Sequence, residues 1–153
     1  MNQSLKERLS RHLYDRLCNR YDSLRKFEEK WKGTASGIEG WLKVEFVAAT
    51  AEIENLHVKT GGSGGRGRRG RFPDLILKYG DQPEICVELK GSTNWFTLNE
   101  EKMKRYKGWL LVVLCGQKRK SSTEEEKQIS ICQEQPIPNT TLCLRICDIT
   151  ESK

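Results

Sequence analysis

Asp74, Glu88 and Lys90 are the residues whose types and spacing could do chemistry. Asp74 follows Pro73 at the head of an apolar run, Leu75-Ile76-Leu77-Lys78-Tyr79. Thirteen residues separate it from Glu88-Leu89-Lys90, which closes a second run begun by Ile85-Cys86-Val87. Both runs have the composition of strands, in which successive side chains point to opposite faces. Ile85, Val87 and Leu89 then face a core, and Cys86, Glu88 and Lys90 share the other face. Gly80-Asp81-Gln82-Pro83 supplies a turn between the runs. A hairpin closed there carries the Asp74 carboxylate toward Glu88, although the intervening residues leave its register open.

Two carboxylates held close together repel unless a cation lies between them. A hard divalent ion such as Mg2+, with Mn2+ as a substitute, binds oxygens from both. Such an ion polarises a phosphate and acidifies a bound water. A neighbouring lysine can orient or deprotonate that water and offset charge on the phosphate. Phosphodiester hydrolysis uses all of these parts. The competing reading of Glu88 and Lys90 is an exposed strand face with a cross-strand ion pair.

The pattern Pro73-Asp74, thirteen residues, Glu88-Leu89-Lys90 on two successive strands resembles the PD-(D/E)XK nuclease superfamily. The resemblance spans roughly residues 37–116. It implies an α/β domain of the restriction-endonuclease-like type, a mixed sheet flanked by helices. It also implies a Mg2+-dependent endonuclease in which Asp74, Glu88 and Lys90 form the catalytic core, with Asp74 and Glu88 on the metal. In that family a helix before the first strand often adds a glutamate, and Gly-Ile-Glu-Gly-Trp-Leu-Lys-Val-Glu-Phe offers Glu39 and Glu45. Ser36 and Glu39 stand in the spacing of a capping box, which gives Glu39 a structural task. Glu45 projects with Ile38, Trp41 and Ala48, and a carboxylate on a face meant for burial needs a partner or a metal. Glu45 is therefore the expected catalytic helical acid.

Residues 61–71, Gly-Gly-Ser-Gly-Gly-Arg-Gly-Arg-Arg-Gly-Arg, lead directly to Asp74. Their six glycines and four arginines leave nothing to bury. Arg66, Arg68, Arg69 and Arg71 are expected to contact nucleic-acid phosphates, with glycines allowing close approach. The competing reading is a linker. Lys118, Arg119 and Lys120 form a second basic cluster, offset by Glu124, Glu125 and Glu126. Trp95 and Phe96 could stack on bases or pack beneath the site.

The elements that must position these residues are legible from periodicity. Residues 3–32 read as one helix: Leu5, Leu9, Leu13 and Leu17 fall four apart, and Tyr21, Leu24, Phe27 and Trp31 extend the stripe. Gly33 ends it, and residues 1–34 are set apart as a helical arm, with the nuclease-like domain over 35–153. A second helix is expected over Gly37–Ala51, a strand over Ile53–Lys59 and a short helix over 98–107. Trp109–Cys115 reads as a strand buried on both faces. Gln128–Gln133 and Leu142–Ile149 complete the strands.

The 153 residues suit a single domain, and no run approaches the roughly 20 apolar residues of a membrane span. The N-terminus is charged from the start and has no signal-peptide core. Six cysteines without any C-x2-C pair suggest reduced thiols in a cytoplasmic protein with no zinc site. The net charge is +6, and residues 1–32 carry nine Lys/Arg against five Asp/Glu. That excess points to a polyanionic partner, nucleic acid, with DNA preferred to RNA and no membrane. Cutting both strands of a duplex favours a homodimer, and the short chain leaves room for a separate recognition subunit. The alternative function is an inactive nucleic-acid-binding module, or an assembly subunit of a larger nucleic-acid-processing complex.

Overall fold

A computed structural model describes residues 3–30, 36–61, 73–92, 108–116 and 132–149. Three helices, α1 (Gln3–Asn19), α2 (Tyr21–Lys30) and α3 (Ser36–Ala51), precede six strands. The strands are β1 (Leu56–Thr60), β2 (Leu75–Tyr79), β3 (Ile85–Ser92), β4 (Trp109–Gly116), β5 (Cys132–Pro136) and β6 (Leu142–Ile149). They form one mixed sheet in the order β1-β2-β3-β4-β6-β5. Only β3 and β4 run parallel, and the other four pairings are antiparallel. The chain is therefore α/β, with helices packed on a mixed sheet.

The leucine spacing of α1 has a direct consequence. Leu5, Leu9, Leu13 and Leu17 lie on one face and are all buried. Leu24 of α2 joins them in a core shared with Ile38, Leu42 and Phe46 of α3 and with Leu110, Val112, Leu114, Leu144 and Ile146 of the sheet. The helices that the sequence sets apart as an arm thus contribute to the same core as the strands. They do not form one continuous helix. The chain turns at Arg20, where the amide of Arg20 bonds the carbonyl of Leu17 at 3.0 Å. Asn19 is a weak helix former, and Asp22 suits the positive end of a new helix. Beyond the break, Phe27 of α2 meets Trp41 of α3 with ring centroids 6.3 Å apart.

α3 and β6 start and stop within a residue of the expected bounds. β1 begins later than Ile53, because Glu52 and Ile53 close a turn off the end of α3 and Asn55 takes a left-handed φ of 62°. β5 extends past Gln133 to Pro136; a proline is tolerated because β5 is an edge strand. Residues 128–131 and the helix expected over 98–107 lie outside the described residues.

One thiol expectation is corrected. Cys18, Cys86 and Cys143 are free, but Cys147 is disulfide-bonded. Register, which the sequence could not supply, sets Cys147 across from Cys132 on the neighbouring strand. Among the described residues no helix is long and apolar enough to cross a membrane.

Candidate active site

The site lies where β2 and β3 part. Their ladder pairs Leu75 with Val87, Ile76 with Cys86 and Leu77 with Ile85, and there it ends. β3 continues through Glu88 to Ser92, paired on its other side with β4. Asp74 stands at the fork. Its amide donates to the Val87 carbonyl at 3.0 Å, and its Oδ2 accepts from the Leu89 amide at 2.8 Å. The carboxylate thus replaces the backbone acceptor that β2 no longer offers, and this holds it beside the Glu88-Leu89-Lys90 segment. Gly61 and Lys43 hold the Asp74 carbonyl, through the Gly61 amide and the Lys43 Nζ, each at 3.4 Å.

Alternation along β3 works as expected from its sequence. Ile85, Val87 and Leu89 enter the core, and Glu88 and Lys90 take the other face. Glu88 is buried, with 6% of its side chain exposed, and its Oε1 lies 2.8 Å from Lys90 Nζ. A second carboxylate reaches the same ammonium: Glu39 Oε1 is 3.6 Å from Lys90 Nζ, with exposures of 35% and 27%. Burial works against the charge of Lys90, but Glu88, then Glu39, then Asp74 outweigh it and hold the ammonium pKa above its ordinary value. Lys90 is therefore a cation at neutral pH. Held as an ammonium, Lys90 can orient a water and oppose phosphate charge.

Glu45, the expected helical acid, is elsewhere. It is buried, with 7% of its side chain exposed, and faces α1 and the turn after it, where Arg16 Nε is 3.0 Å from its Oε2 and Arg20 Nε 3.6 Å from its Oε1. Arg16 also binds Glu52 at 3.1 Å, and His12 Nδ1 meets Glu52 at 2.9 Å. The buried carboxylate does have partners, but they are Arg16 of α1 and Arg20 of the turn that follows it, whose positions the sequence left unknown. Glu39 is the acid that joins Asp74, Glu88 and Lys90. Its signal was present: Glu39 lies on the polar side of α3 with Lys43, and both reach the fork.

Arg66, Arg68, Arg69 and Arg71 lie outside the described residues, as do Trp95, Phe96 and the 118–120 cluster. The roots of the arginine loop are described. Gly61 and Pro73 come so close that a Cβ on Gly61 would stand 1.9 Å from the Pro73 carbonyl oxygen. Both ends of the loop are thereby tied to Asp74. Among the described residues, no group of three or more His, Cys, Asp and Glu side chains is arranged to hold a metal ion. What the fork presents is Glu88 and Glu39 on the Lys90 ammonium, the Asp74 carboxylate on the Leu89 amide, and the Lys43 ammonium on the Asp74 carbonyl.

The chain matches no family model, and neither a curated protein nor a solved structure shows significant similarity to it.

Proposed function

We propose that the chain is a Mg2+-dependent nuclease of the restriction-endonuclease-like type that hydrolyses phosphodiester bonds in DNA. One observation carries this reading. Glu88 and Glu39 pair with Lys90, and Asp74 is held beside them on the Leu89 amide, at the end of a hairpin preceded in sequence by four arginines. The cluster has an excess of negative charge, which a divalent cation would offset.

The donor set suits Mg2+. Asp74 and Glu88 offer hard oxygen ligands from adjacent strands, and Mg2+ keeps several of its waters when few protein ligands are available. Bound there, the ion supplies positive charge that polarises a phosphate and acidifies a water. Lys90, held charged, donates hydrogen bonds to a water or a phosphate oxygen and opposes the charge that grows in the transition state. Glu88 and Glu39 fix the ammonium from two sides. The arginines of the loop meet backbone phosphates near the scissile bond. A homodimer or a separate recognition subunit would supply what this short chain lacks for paired cutting or sequence reading.

A second reading is a binding module, or an assembly subunit, with the same fork and no catalysis. It is favoured by the engagement of Glu88 and Glu39 with Lys90, which already occupies oxygens that a metal would use. One experiment separates the two: incubate the purified protein with labelled duplex, branched and single-stranded DNA and RNA, with and without Mg2+, beside calorimetry with Mn2+. Metal-dependent cleavage and a metal site abolished in Asp74→Ala are expected. Nucleic-acid binding with neither would leave the second reading.

A further inference from the structure

We infer that Gly91 is a positioning residue: it admits the first turn of α3 onto β3 and so sets where the Glu39 carboxylate meets Lys90. The inference rests on the proposed reading of the fork as the working site.

A glycine inside a buried strand is unfavourable by itself, since it orders a flexible backbone and packs no side chain. Such a glycine often marks a point where another backbone comes close. Gly91 pairs with Leu114 in the β3–β4 ladder and is buried. It does not take the left-handed φ found at Gly80 and Gly108, so what it supplies is room and not an unusual conformation. A Cβ on Gly91 would stand 2.8 Å from the Glu39 amide nitrogen, 2.8 Å from Ile38 Cγ2 and 3.0 Å from the Ile38 carbonyl carbon. Two of those three atoms are backbone and cannot rotate away, so any side chain there pushes back the start of α3.

Lys90 immediately precedes Gly91, and Glu39 carries the amide that the missing side chain would strike. The approach that excludes a side chain is therefore the approach that brings Glu39 Oε1 to 3.6 Å from Lys90 Nζ. The far end of α3 is anchored: Arg16 and Arg20 hold Glu45, and Arg16 and His12 hold Glu52. A push at Gly91 cannot be absorbed by sliding the whole helix and is concentrated in the first turn, at Glu39.

The test is a double-mutant cycle of Gly91→Ala and Glu39→Gln, read by single-turnover cleavage of a labelled DNA oligonucleotide in Mg2+, by gel-shift affinity and by thermal melting. Gly91→Ala should slow cleavage by about 10- to 100-fold, the scale of a displacement near 1 Å, with DNA affinity within about twofold of the parent. Added to Glu39→Gln, it should cause no further drop in rate, because the two changes act through one juxtaposition. An undiminished rate in Gly91→Ala, or a full additional drop in the double variant, overturns the inference. Should Gly91→Ala not fold, adding Ile38→Ala removes the Cγ2 clash and keeps the backbone approach; Ile38→Ala alone is then the reference. If the parent protein cuts no DNA, the proposed function fails and the inference is read by melting. Glu39→Gln and Lys90→Gln should then be coupled in the parent and uncoupled in the Gly91→Ala background, and coupling that persists overturns it.

Discussion

α3 carries two glutamates, six residues apart, into two charged clusters of opposite balance. Toward its C-terminal end, Glu45 and Glu52 meet Arg16 and Arg20, so two carboxylates are matched by two guanidinium groups, and His12 lies beside Glu52. At its N-terminal end, Glu39 joins Asp74 and Glu88 near two ammoniums, Lys90 and Lys43, so three carboxylates face two cations. The first cluster is self-neutralised and ties two helices together. The second has charge left to compensate and opens at a fork in the sheet. Burial does not separate them, because Glu45 and Glu88 are both almost wholly enclosed. The unbalanced charge does, and it is what a divalent cation and its substrate would complete.

The contrast is tested most severely at Asp74. Asp74→Asn keeps an acceptor for the Leu89 amide and removes the charge, so the fold should melt near the parent temperature. Cleavage should fall by about a thousandfold, the scale of removing one preorganised charged group, and the Mn2+ heat should disappear from calorimetry. Cleavage at the parental rate would show that the acidic excess at the fork has no catalytic use. Lys90→Ala should cut about a hundredfold more slowly while still shifting DNA in a gel, since its cation acts on the transition state more than on binding. Binding weakened about a hundredfold with an unchanged rate at saturating DNA would reverse that assignment.

The two glutamates address the two clusters directly. Glu39→Gln should slow cleavage about tenfold or more with little change in melting, because it relieves like charge at the fork. Glu45→Gln should leave the rate of the folded protein unchanged. Arg16→Met, which leaves Glu45 only its longer pairing with Arg20, should destabilise by about 1–3 kcal/mol in denaturant melts. A catalytic defect in folded Glu45→Gln would put the working acid back at the neutralised cluster.

Smaller effects are expected away from the two clusters. Replacing Arg66, Arg68, Arg69 and Arg71 with glutamine should flatten the log–log salt dependence of DNA binding by up to about 3–4 units, at about 0.9 for each phosphate no longer neutralised. It should weaken all sequences alike, since phosphates carry no sequence information. An unchanged slope would make the loop a linker and move the nucleic-acid path to the basic N-terminal helices. The smallest effect is alkaline. The Lys90 pKa is raised in the folded state, so its stabilising contribution is complete below the ordinary lysine pKa of about 10.4 and is lost as pH rises through the folded value. The melting difference between the parent and Lys90→Met should stay level up to about pH 10 and shrink above it. A difference that stays constant to higher pH would separate Lys90 from its carboxylates.

Local pattern determined much of this protein. The two-residue alternation of β3 assigns Val87 and Leu89 to the core and Glu88 and Lys90 to the opposite face, because strand geometry leaves no other choice. The spacing of Leu5, Leu9, Leu13 and Leu17 similarly dictates the buried face of α1. Relations between distant segments were decided only by the tertiary structure. The fork that gives Asp74 its partner at Leu89 depends on where the β2–β3 ladder stops, and the pairing of Arg20 with Glu45 depends on how that turn folds against α3. The placing of Cys147 opposite Cys132 belongs to a pairing of strands whose register the sequence does not state. The exchange of Glu45 for Glu39 has the same origin: a sequence shows that a buried carboxylate must be matched, but the matching charge comes from whichever element folds against it. Here the partners of Glu45 came from α1 and the turn after it, and a strand that is glycine at position 91 came close enough for Glu39 to reach Lys90.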